Sequence, residues 1–199
     1  MGSLRHVVWE LTLACDLACG HCGSRALKPR AGELSTEEAL GVVVQLAAMG
    51  AREVSLIGGE AYLRDDWTTI ARAIADAGMI CSMVTGGRGV RRSLSRPAQD
   101  ARVDSVSVSI DGIGANHDVQ RGAEGSFARA VEALKNLREA GVSVSANSQL
   151  NRLSFPDLDA MLDLFLAHGC HGWQVAMTVP MGRAQERPDW LFQPADLLV

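Results

Sequence analysis

The feature that most constrains the fold of this chain is a repeated order of helical pattern, glycine and β-rich run. Four helical patterns end at Gly50, Gly78, Gly141 and Gly169, and a β-rich run begins within a few residues of each. Glycine just past a helix ends it, because a residue without Cβ takes positive φ at little cost. Strands that alternate with helices of about 10–15 residues predict βαβ units and a parallel sheet with right-handed crossovers.

Six strands are predicted, and the first five are followed by segments with apolar residues at helical spacing. The strands are predicted at 7–13, 53–57, 79–84, 103–110, 142–148 and 172–177. Helices are predicted from a capping box at Ser35–Glu38, from Asp65 or Asp66, over 88–102, over 126–140 and over 154–167. Pro97 makes the third helix the weakest. A sixth helix would have to lie within 188–199, so it is expected to be short or truncated.

Composition and charge exclude several classes of protein. The 199 residues are 47% apolar and 21% charged, which predicts one globular domain with a core of its own. The net charge is −4 and no basic run is present, which argues against a nucleic-acid partner. No apolar run approaches the roughly 20 residues of a membrane span, and no secretory segment precedes the first strand. A cytoplasmic location is therefore expected.

Three cysteines directly after the first predicted strand carry the strongest chemical signal. Cys15, Cys19 and Cys22 are spaced C-x3-C-x2-C, whereas Cys81 and Cys170 stand alone. Thiolates bind iron–sulfur clusters or zinc, and closed sites of both kinds usually have four protein ligands. A 4Fe–4S cluster held by three thiolates leaves one iron open for chemistry. The two isolated cysteines are expected to be small core residues that face away from the site.

Three other interpretations of the cysteine loop fit the sequence less well. A disulfide with one spare thiol fits poorly with a chain that has no signal peptide. Zinc with His21 as the fourth ligand would be cramped, because His21 is adjacent to Cys22. An electron-transfer cluster would need a fourth cysteine within reach.

The loop, with the ring of His21 just before the last cysteine, resembles the signature loop of the radical S-adenosylmethionine (radical SAM) enzymes. The resemblance implies an α/β fold, a partial (β/α)6 barrel of parallel strands. It implies a 4Fe–4S cluster on Cys15, Cys19 and Cys22, with S-adenosylmethionine as second cofactor and His21 beside it. Reduction of the cluster would cleave S-adenosylmethionine to a 5′-deoxyadenosyl radical that abstracts hydrogen from a substrate.

Two further motifs of this family follow the second and third predicted strands. Gly58-Gly59-Glu60 resembles the motif that binds the methionine amino group of S-adenosylmethionine, although the family usually has proline where this chain has Ala61. Glycines at this place allow close backbone approach, and a carboxylate suits an ammonium group. Thr85 stands where relatives have Thr-Asn-Gly and is expected to face the cofactor, with a glycine in place of the asparagine.

The fourth and fifth strands contribute the remaining candidates. The fourth strand alternates strictly, so its Val and Ile side chains should meet helices while Ser109 and Asp111 face the barrel interior. The run from His117 to Phe127 resembles the peptide-modifying branch, which implies cofactor contacts for Ser109 and Arg121. Asp111 could equally form a turn. Asn147 could contact the cofactor ribose or cap a helix.

The same resemblance implies a domain organisation and partners. Relatives of the SPASM type continue into a C-terminal domain with auxiliary clusters, which is absent from these residues, so 1–199 is interpreted as a single radical SAM core domain. The implied substrate is a peptide, as for maturases of ribosomal peptides or cofactor precursors. A reducing electron donor is needed, and a separate peptide-recognition protein would be a further partner.

Two alternatives to a peptide-modifying enzyme stay open. One is a radical SAM enzyme that acts on a small molecule. The other is a non-catalytic iron–sulfur or zinc module, against which Gly58-Gly59-Glu60 and Arg121 argue. The segment 180–184, with the pattern Pro-x-Gly-Arg-Ala, resembles the same branch, and its function stays open between site chemistry and stiffening of a loop.

Overall fold

The computed structural model describes residues 4–197 and contains one sheet of six parallel strands. The sheet order follows the chain order from β1 to β6, so every connection crosses to the adjacent strand in the same direction and the sheet curls into a half-barrel. This confirms the predicted partial (β/α)6 barrel. The strands are β1 (His6–Thr12), β2 (Glu53–Gly58), β3 (Ile80–Thr85), β4 (Ser105–Ser109), β5 (Ser143–Leu150) and β6 (Trp173–Met177).

The described residues also form six α-helices and four short 3-10 helices, two of which follow the last strand. The 3-10 helices span Ala61–Leu63, Phe155–Asp157, Gly182–Glu186 and Pro194–Leu197. The α-helices are α1 (Thr36–Ala48), α2 (Trp67–Asp76), α3 (Arg92–Asp100), α4 (Ala115–Arg121), α5 (Ser126–Glu139) and α6 (Leu158–Ala167).

The structure adds one helix to the prediction and shortens the end of the barrel. Helix α4 has only seven residues and is preceded by Gly114 and followed by Gly122, so no helical periodicity reveals it in the sequence. After β6, the described residues contain only 3-10 segments and no α-helix. The sixth helix expected within 188–199 is thus reduced to Pro194–Leu197 in the described part of the chain, and residues 198 and 199 lie outside it.

Alternation along the strands separates an apolar face from a polar one, as predicted for β4. Val106, Val108 and Ile110 are fully buried in the core between the sheet and the helices. Ser109 and Asp111 point the other way and line the interior of the half-barrel. The same rule places Cys81 in the apolar core, and Cys170 packs half-buried against it, which confirms both as packing residues. The curled face of the sheet is therefore left free to form a site.

Local signals account for the helix starts in part. Ser35 accepts a hydrogen bond from the N–H of Glu38 while the Glu38 carboxylate accepts from the N–H of Ser35, which confirms the capping box. Asp66 is the N-cap of α2, but its carboxylate binds Arg64 and Thr36 instead of the helix backbone. Tertiary contacts thus override the local cap at this position.

The length and apolar character of the helices bear on whether the chain could span a membrane. Among residues 4–197, no helix combines the length and the apolar character that crossing a bilayer requires.

Candidate active site

The curled face of the sheet encloses one large cavity of about 600 Å³. It lies at the carboxyl ends of the strands and extends down the interior of the half-barrel to His6 and Ser55 near the opposite end. Every site residue expected from the sequence lines this cavity: Cys15, Cys19, His21, Cys22, Gly58, Gly59, Glu60, Thr85, Ser109, Asp111, Arg121 and Asn147. The structure therefore brings all of them together, while their individual roles stay predictions.

The cysteine loop follows β1 directly. One isolated bridge pairs Ala14 with Leu27 across the base of the loop. The N–H of Leu17 donates to Cys15 Sγ at 3.4 Å, and Arg121 Nη1 donates to Cys19 Sγ at 3.7 Å. Burial raises the pKa of the Cys15 thiol to about 12 and also raises that of Cys19. Both thiols are neutral without a metal and must release a proton when they bind one.

The spacing of the sulfur atoms bears on which metal the loop can hold. A single zinc ion, about 2.3 Å from each sulfur, places its thiolates within roughly 4 Å of one another. Among the described residues, Cys15, Cys19 and Cys22 do not form a group whose sulfur atoms all lie within 4.8 Å of one another. His21 does not belong to such a group of described residues either, and its Nε2 lies 3.3 Å from Asp111 Oδ2. The three sulfurs of the loop as folded are therefore not gathered around a single zinc position.

Gly58 and Gly59 are required by the backbone of the chain itself. A Cβ at Gly58 would lie 2.2 Å from the carbonyl oxygen of Thr12, and one at Gly59 would lie 2.1 Å from that of Ala14. The Gly59 N–H donates to the Thr12 carbonyl, which carries the pairing of β1 and β2 past the end of the strands. The backbone at these two glycines thus approaches the base of the cysteine loop closely, and Gly59 in particular lies against Cys15.

Glu60 is held inside the cavity wall by hydrogen bonds from the end of β3. Thr85 Oγ1 donates to Glu60 Oε2 at 2.6 Å, and the N–H of Gly86 donates to Oε1 at 2.6 Å. Burial raises the pKa of Glu60 to about 7, although these two hydrogen bonds oppose the rise. A Cβ at Gly86 would lie 2.9 Å from Glu60 Oε1, so glycine at this position lets the backbone reach the carboxylate directly.

Asp111 connects three parts of the site. Its carboxylate lies 2.6 Å from Arg121 Nη2 and 3.3 Å from His21 Nε2, and its Oδ1 accepts from the N–H of Gln149 at 2.8 Å. Burial alone would raise the pKa of Asp111, but Arg121, His21 and the N–H of Gln149 together outweigh it and hold the pKa below its usual range. Asp111 is therefore a buried carboxylate in an ion pair, rather than a surface turn residue.

The two histidines near Asp111 are neutral. Burial lowers the pKa of His21 and of His117 to about 4. The N–H of Asp111 donates to His117 Nδ1 at 3.1 Å, whereas His21 Nδ1 is buried and has no hydrogen-bond partner among the described residues.

Ser109 and Asn147 face each other across neighbouring strands. They are register partners of β4 and β5, and both line the cavity. Strand β5 continues to Leu150, so Asn147 lies in the middle of a strand and caps no helix. The predicted end of this strand at residue 148 is wrong by two residues, because β6 pairs with β5 as far as Leu150.

The structure also shows polar residues in or beside the cavity wall that the sequence interpretation did not name as site residues. Asp16 lies beside Cys15 and Glu60, and its Oδ2 accepts from the hydroxyl of Tyr62 at 3.1 Å. Gln149 and Gln174 add amide groups to the wall formed by β5 and β6. The period-two alternation of β5 could have identified Gln149 from the position of Asn147, whereas no local pattern singles out Asp16.

Comparison with known proteins decides the family. Residues 9–171 match the Radical SAM superfamily, which is more than half of the 199 residues. The chain belongs to the radical SAM superfamily. This superfamily uses a 4Fe–4S cluster and S-adenosylmethionine, so the predicted cofactors are those of the family.

Radical SAM relatives of two kinds resemble the chain. An AdoMet-dependent heme synthase from Methanosarcina barkeri is 34% identical over 194 residues, which are 96% of this chain and 55% of the relative. A PqqA peptide cyclase from Rhizobium meliloti is 29% identical over 185 residues, which are 92% of this chain and 49% of the relative. The chain thus spans about half the length of these curated relatives.

A solved structure shares the fold of the chain. Streptococcus suis SuiB, in its crystal structure bound to precursor peptide SuiA, aligns with a TM-score of 0.78. The sequence identity is 17%, and the alignment covers 89% of this chain and 40% of SuiB. At this identity the likeness shows the fold alone.

The residues of the cavity fit the cofactors of the family. Three thiols at the end of β1 provide the donor set of a cluster with one open iron. Glu60 offers a buried carboxylate for an ammonium group, and the neutral ring of His21, which also lines the cavity, offers a further polar group. A volume of about 600 Å³ falls within the usual range of small-molecule sites.

Proposed function

We propose that this protein is a radical SAM enzyme whose cluster is bound by Cys15, Cys19 and Cys22, and that residues 1–199 form one radical SAM core domain. The observation that carries the proposal is the convergence of all the predicted site residues on one cavity at the carboxyl ends of the strands. In parallel α/β folds, ligands bind at this edge of the sheet. An isolated metal module would have no need of the second polar cluster around Glu60 and Arg121.

The cofactors supply the radical chemistry, and the side chains bind and orient them. When bound, the cluster and S-adenosylmethionine supply a 5′-deoxyadenosyl radical that abstracts a hydrogen atom from the substrate. Glu60, fixed by Thr85 and Gly86, accepts the ammonium group of the cofactor. That ammonium favours the ionised carboxylate and so opposes the effect of burial on the pKa of Glu60.

Other residues that line the cavity would receive the remaining polar groups of the cofactor. Ser109 and Arg121, which line the cavity, would contact its carboxylate or ribose, and Asn147, which also lines it, would contact the ribose. The charge of Arg121 is already paired with Asp111, so the pair presents a fixed set of N–H donors rather than a free positive charge. His21 would contribute a further polar group, because its ring is neutral and its Nδ1 has no hydrogen-bond partner among the described residues.

A peptide is the substrate that the cavity supports best. Asn147, Gln149 and Gln174 form a neutral wall whose amides can hydrogen-bond a peptide backbone. Among the described residues that line the cavity, Arg121 is the only Arg or Lys, and Asp111 neutralises it. The names of a peptide cyclase and of a precursor-peptide complex among the similar proteins agree with this choice. A reducing electron donor and a separate peptide-recognition protein would be its partners.

A heme precursor is the second candidate substrate. The observation in its favour is that the heme synthase of Methanosarcina barkeri, at 34%, is more similar to the chain than the peptide cyclase, at 29%. A porphyrin with several carboxylates would need cationic partners, which the described lining of the cavity does not offer beyond Arg121. Such partners would have to come from another part of the protein.

The experiment that tests the proposal is anaerobic. The protein is reconstituted with iron and sulfide, reduced, and supplied with S-adenosylmethionine, and 5′-deoxyadenosine is measured. Cys19→Ser is expected to abolish production, whereas Cys170→Ser, which changes a half-buried cysteine outside the loop, is expected to preserve it. Tight zinc binding with no cluster, or equal product from both variants, would contradict the proposal.

The substrate is identified by hydrogen transfer. The enzyme is incubated with deuterated short peptides encoded beside its gene and, separately, with a deuterated heme precursor. Deuterium in 5′-deoxyadenosine from a peptide supports the peptide assignment. Deuterium from the macrocycle alone would replace it with the second candidate.

A further inference from the structure

Arg183, in the segment after β6, donates hydrogen bonds to the cysteine loop. Arg183 Nε donates to the carbonyl oxygen of Cys19 at 2.6 Å, and both terminal nitrogens of Arg183 lie 3.3 Å from the carbonyl oxygen of Ala26 and donate to it. Cys19 and Ala26 are buried, so their carbonyl groups need partners inside the protein. One guanidinium thus joins the middle of the loop to its far end, from a position more than 150 residues away.

The backbone of the same segment adds a second attachment. The N–H of Arg183 donates to the carbonyl oxygen of Cys22 at 2.9 Å. Gly182 has a φ of +59°, and a Cβ there would lie 2.3 Å from the carbonyl oxygens of both Cys22 and Gly23. In the other direction, Arg25 Nη2 donates to the carbonyl oxygen of Gly182 at 3.0 Å. Only glycine permits this approach in this conformation.

The charge of Arg183 has no counterpart in the described protein. Among residues 4–197, no carboxylate lies within 4.0 Å of its nitrogens, and its contacts are backbone carbonyls. The Arg183 side chain is half-buried beside Cys19. The sulfur of the same cysteine accepts a hydrogen bond from Arg121. Two cations thus flank one cysteine, and only Arg121 is paired with a carboxylate. Negative charge gathered at the cysteines would compensate Arg183.

We propose that Gly182 and Arg183 form a clamp that holds the cysteine loop in its cluster-binding conformation, with Arg183 a positioning residue for the iron–sulfur cluster. The inference rests on the proposed function insofar as it names a cluster. It explains the Gly-Arg pair of the segment 180–184, which the sequence left without a role. The guanidinium fixes the loop through carbonyl groups, and its charge favours the more negative, reduced state of the bound cluster.

Three variants separate the bridging from the charge. Arg183→Gln removes both. Arg183→Lys keeps the charge, but its single ammonium group cannot reproduce the planar fork that joins the two carbonyls. Gly182→Ala keeps the guanidinium and forces a Cβ against the loop. Arg129→Gln removes an exposed arginine from α5, far along the chain from the loop, and serves as the matched control.

The first measurement uses the metal-free protein. Amide hydrogen exchange over residues 13–27 is expected to be faster in Arg183→Gln, Arg183→Lys and Gly182→Ala than in the unchanged protein and in Arg129→Gln. Exchange in β2 to β4 shows whether each variant is folded. If Arg183→Gln fails to fold, Gly182→Ala and Arg183→Lys carry the test. Unchanged exchange in the folded variants would overturn the clamp.

The second measurement uses the protein reconstituted with iron and sulfide. Loss of iron to a chelator is expected to be about tenfold faster in Arg183→Gln than in the control, as for partners of metal ligands elsewhere. The reduction potential is expected to become more negative in Arg183→Gln and to stay near the original in Arg183→Lys. Equal rates and potentials in all variants would overturn the positioning role. If even the unchanged protein binds no cluster, the proposed function fails, while the exchange measurement still decides the clamp.

Discussion

Arg121 and Asp111 form an ion pair at the end of β4, with 2.6 Å between Arg121 Nη2 and Asp111 Oδ2. Both side chains are nearly inaccessible, and Arg121 also donates to Cys19 Sγ. Helix α4 makes the pair possible, because it ends at Arg121 and packs against the cysteine loop, where the N–H of Gly20 donates to the Gln120 carbonyl. The ion pair thus ties the cluster loop to the middle of the sheet.

Removing one partner of this pair should destabilise the fold strongly. Asp111→Asn leaves a buried guanidinium without its counter-charge, and the free energy of unfolding is expected to fall by about 3–5 kcal/mol. Urea unfolding of the metal-free protein measures it. Glu139→Gln, which removes an exposed partner of Arg92, should cost no more than about 1 kcal/mol. Equal losses in the two variants would show that Arg121 does not depend on Asp111.

Glu60→Gln should weaken binding of S-adenosylmethionine to the reconstituted protein. The variant loses the charge that faces the ammonium group, and its amide N–H2 must oppose the donor of Thr85 or of Gly86. Hydrogen bonds to charged groups contribute about 1.5–3 kcal/mol, which corresponds to a 10- to 100-fold higher Kd. Equilibrium dialysis measures it, with the exposed Glu132→Gln as control. An unchanged Kd would remove Glu60 from the cofactor site.

Gly59→Ala should damage the cysteine loop. Its Cβ would lie 2.1 Å from the Ala14 carbonyl oxygen and 2.8 Å from Cys15 Cβ, so the base of the loop must shift. We expect a loss of about 1–3 kcal/mol in the free energy of unfolding and less iron after reconstitution. Gly41→Ala, within α1 and with nothing within 4 Å of the new Cβ, should instead stabilise by about 0.5–1 kcal/mol. Full iron content in Gly59→Ala would contradict the packing argument.

Asp118 should stabilise α5 in a manner that depends on pH. Its carboxylate accepts from the N–H groups of Gly125 and Phe127 and from the Ser126 hydroxyl. Burial would raise the pKa of Asp118, but these hydrogen bonds outweigh it and lower the pKa. Asp118→Ala is therefore expected to cost about 1–2 kcal/mol at pH 7, as for other caps.

The sign of the pH dependence follows from the lowered pKa. A carboxylate whose pKa is lower in the folded state stabilises fully above its unfolded value of about 3.9, and it loses this effect as the pH falls through the folded value. The difference between Asp118→Ala and the unchanged protein should therefore shrink below about pH 4. Urea unfolding at pH 7 and at pH 3 tests this, with the exposed Asp163→Ala as control. A difference that stays constant with pH would contradict the cap.

The strand order and the cysteine loop could be read from local patterns. Strands β2, β3, β5 and β6 each follow a glycine that ends a helix, and β1 precedes the cysteines. Alternation in β4 assigns Val106 to the core and Ser109 to the cavity. Helix α4 could not be read in this way, because seven residues between glycines show no period. The extension of β5 to Leu150 depends on its pairing with β6, which no property of β5 itself reveals.

The sequence by itself determined the architecture, the family and the group of residues that meet at the carboxyl ends of the strands. These follow from the spacing of glycines, apolar residues and cysteines, which acts over a few residues at a time. Only the tertiary structure decided the partners within that group. The contacts of Glu60 with Thr85, of Arg121 with Asp111 and of Arg183 with Cys19 join residues separated by 10 to 164 positions. Such contacts arise from the way the sheet curls and the loops fold over its edge, and no local pattern encodes them.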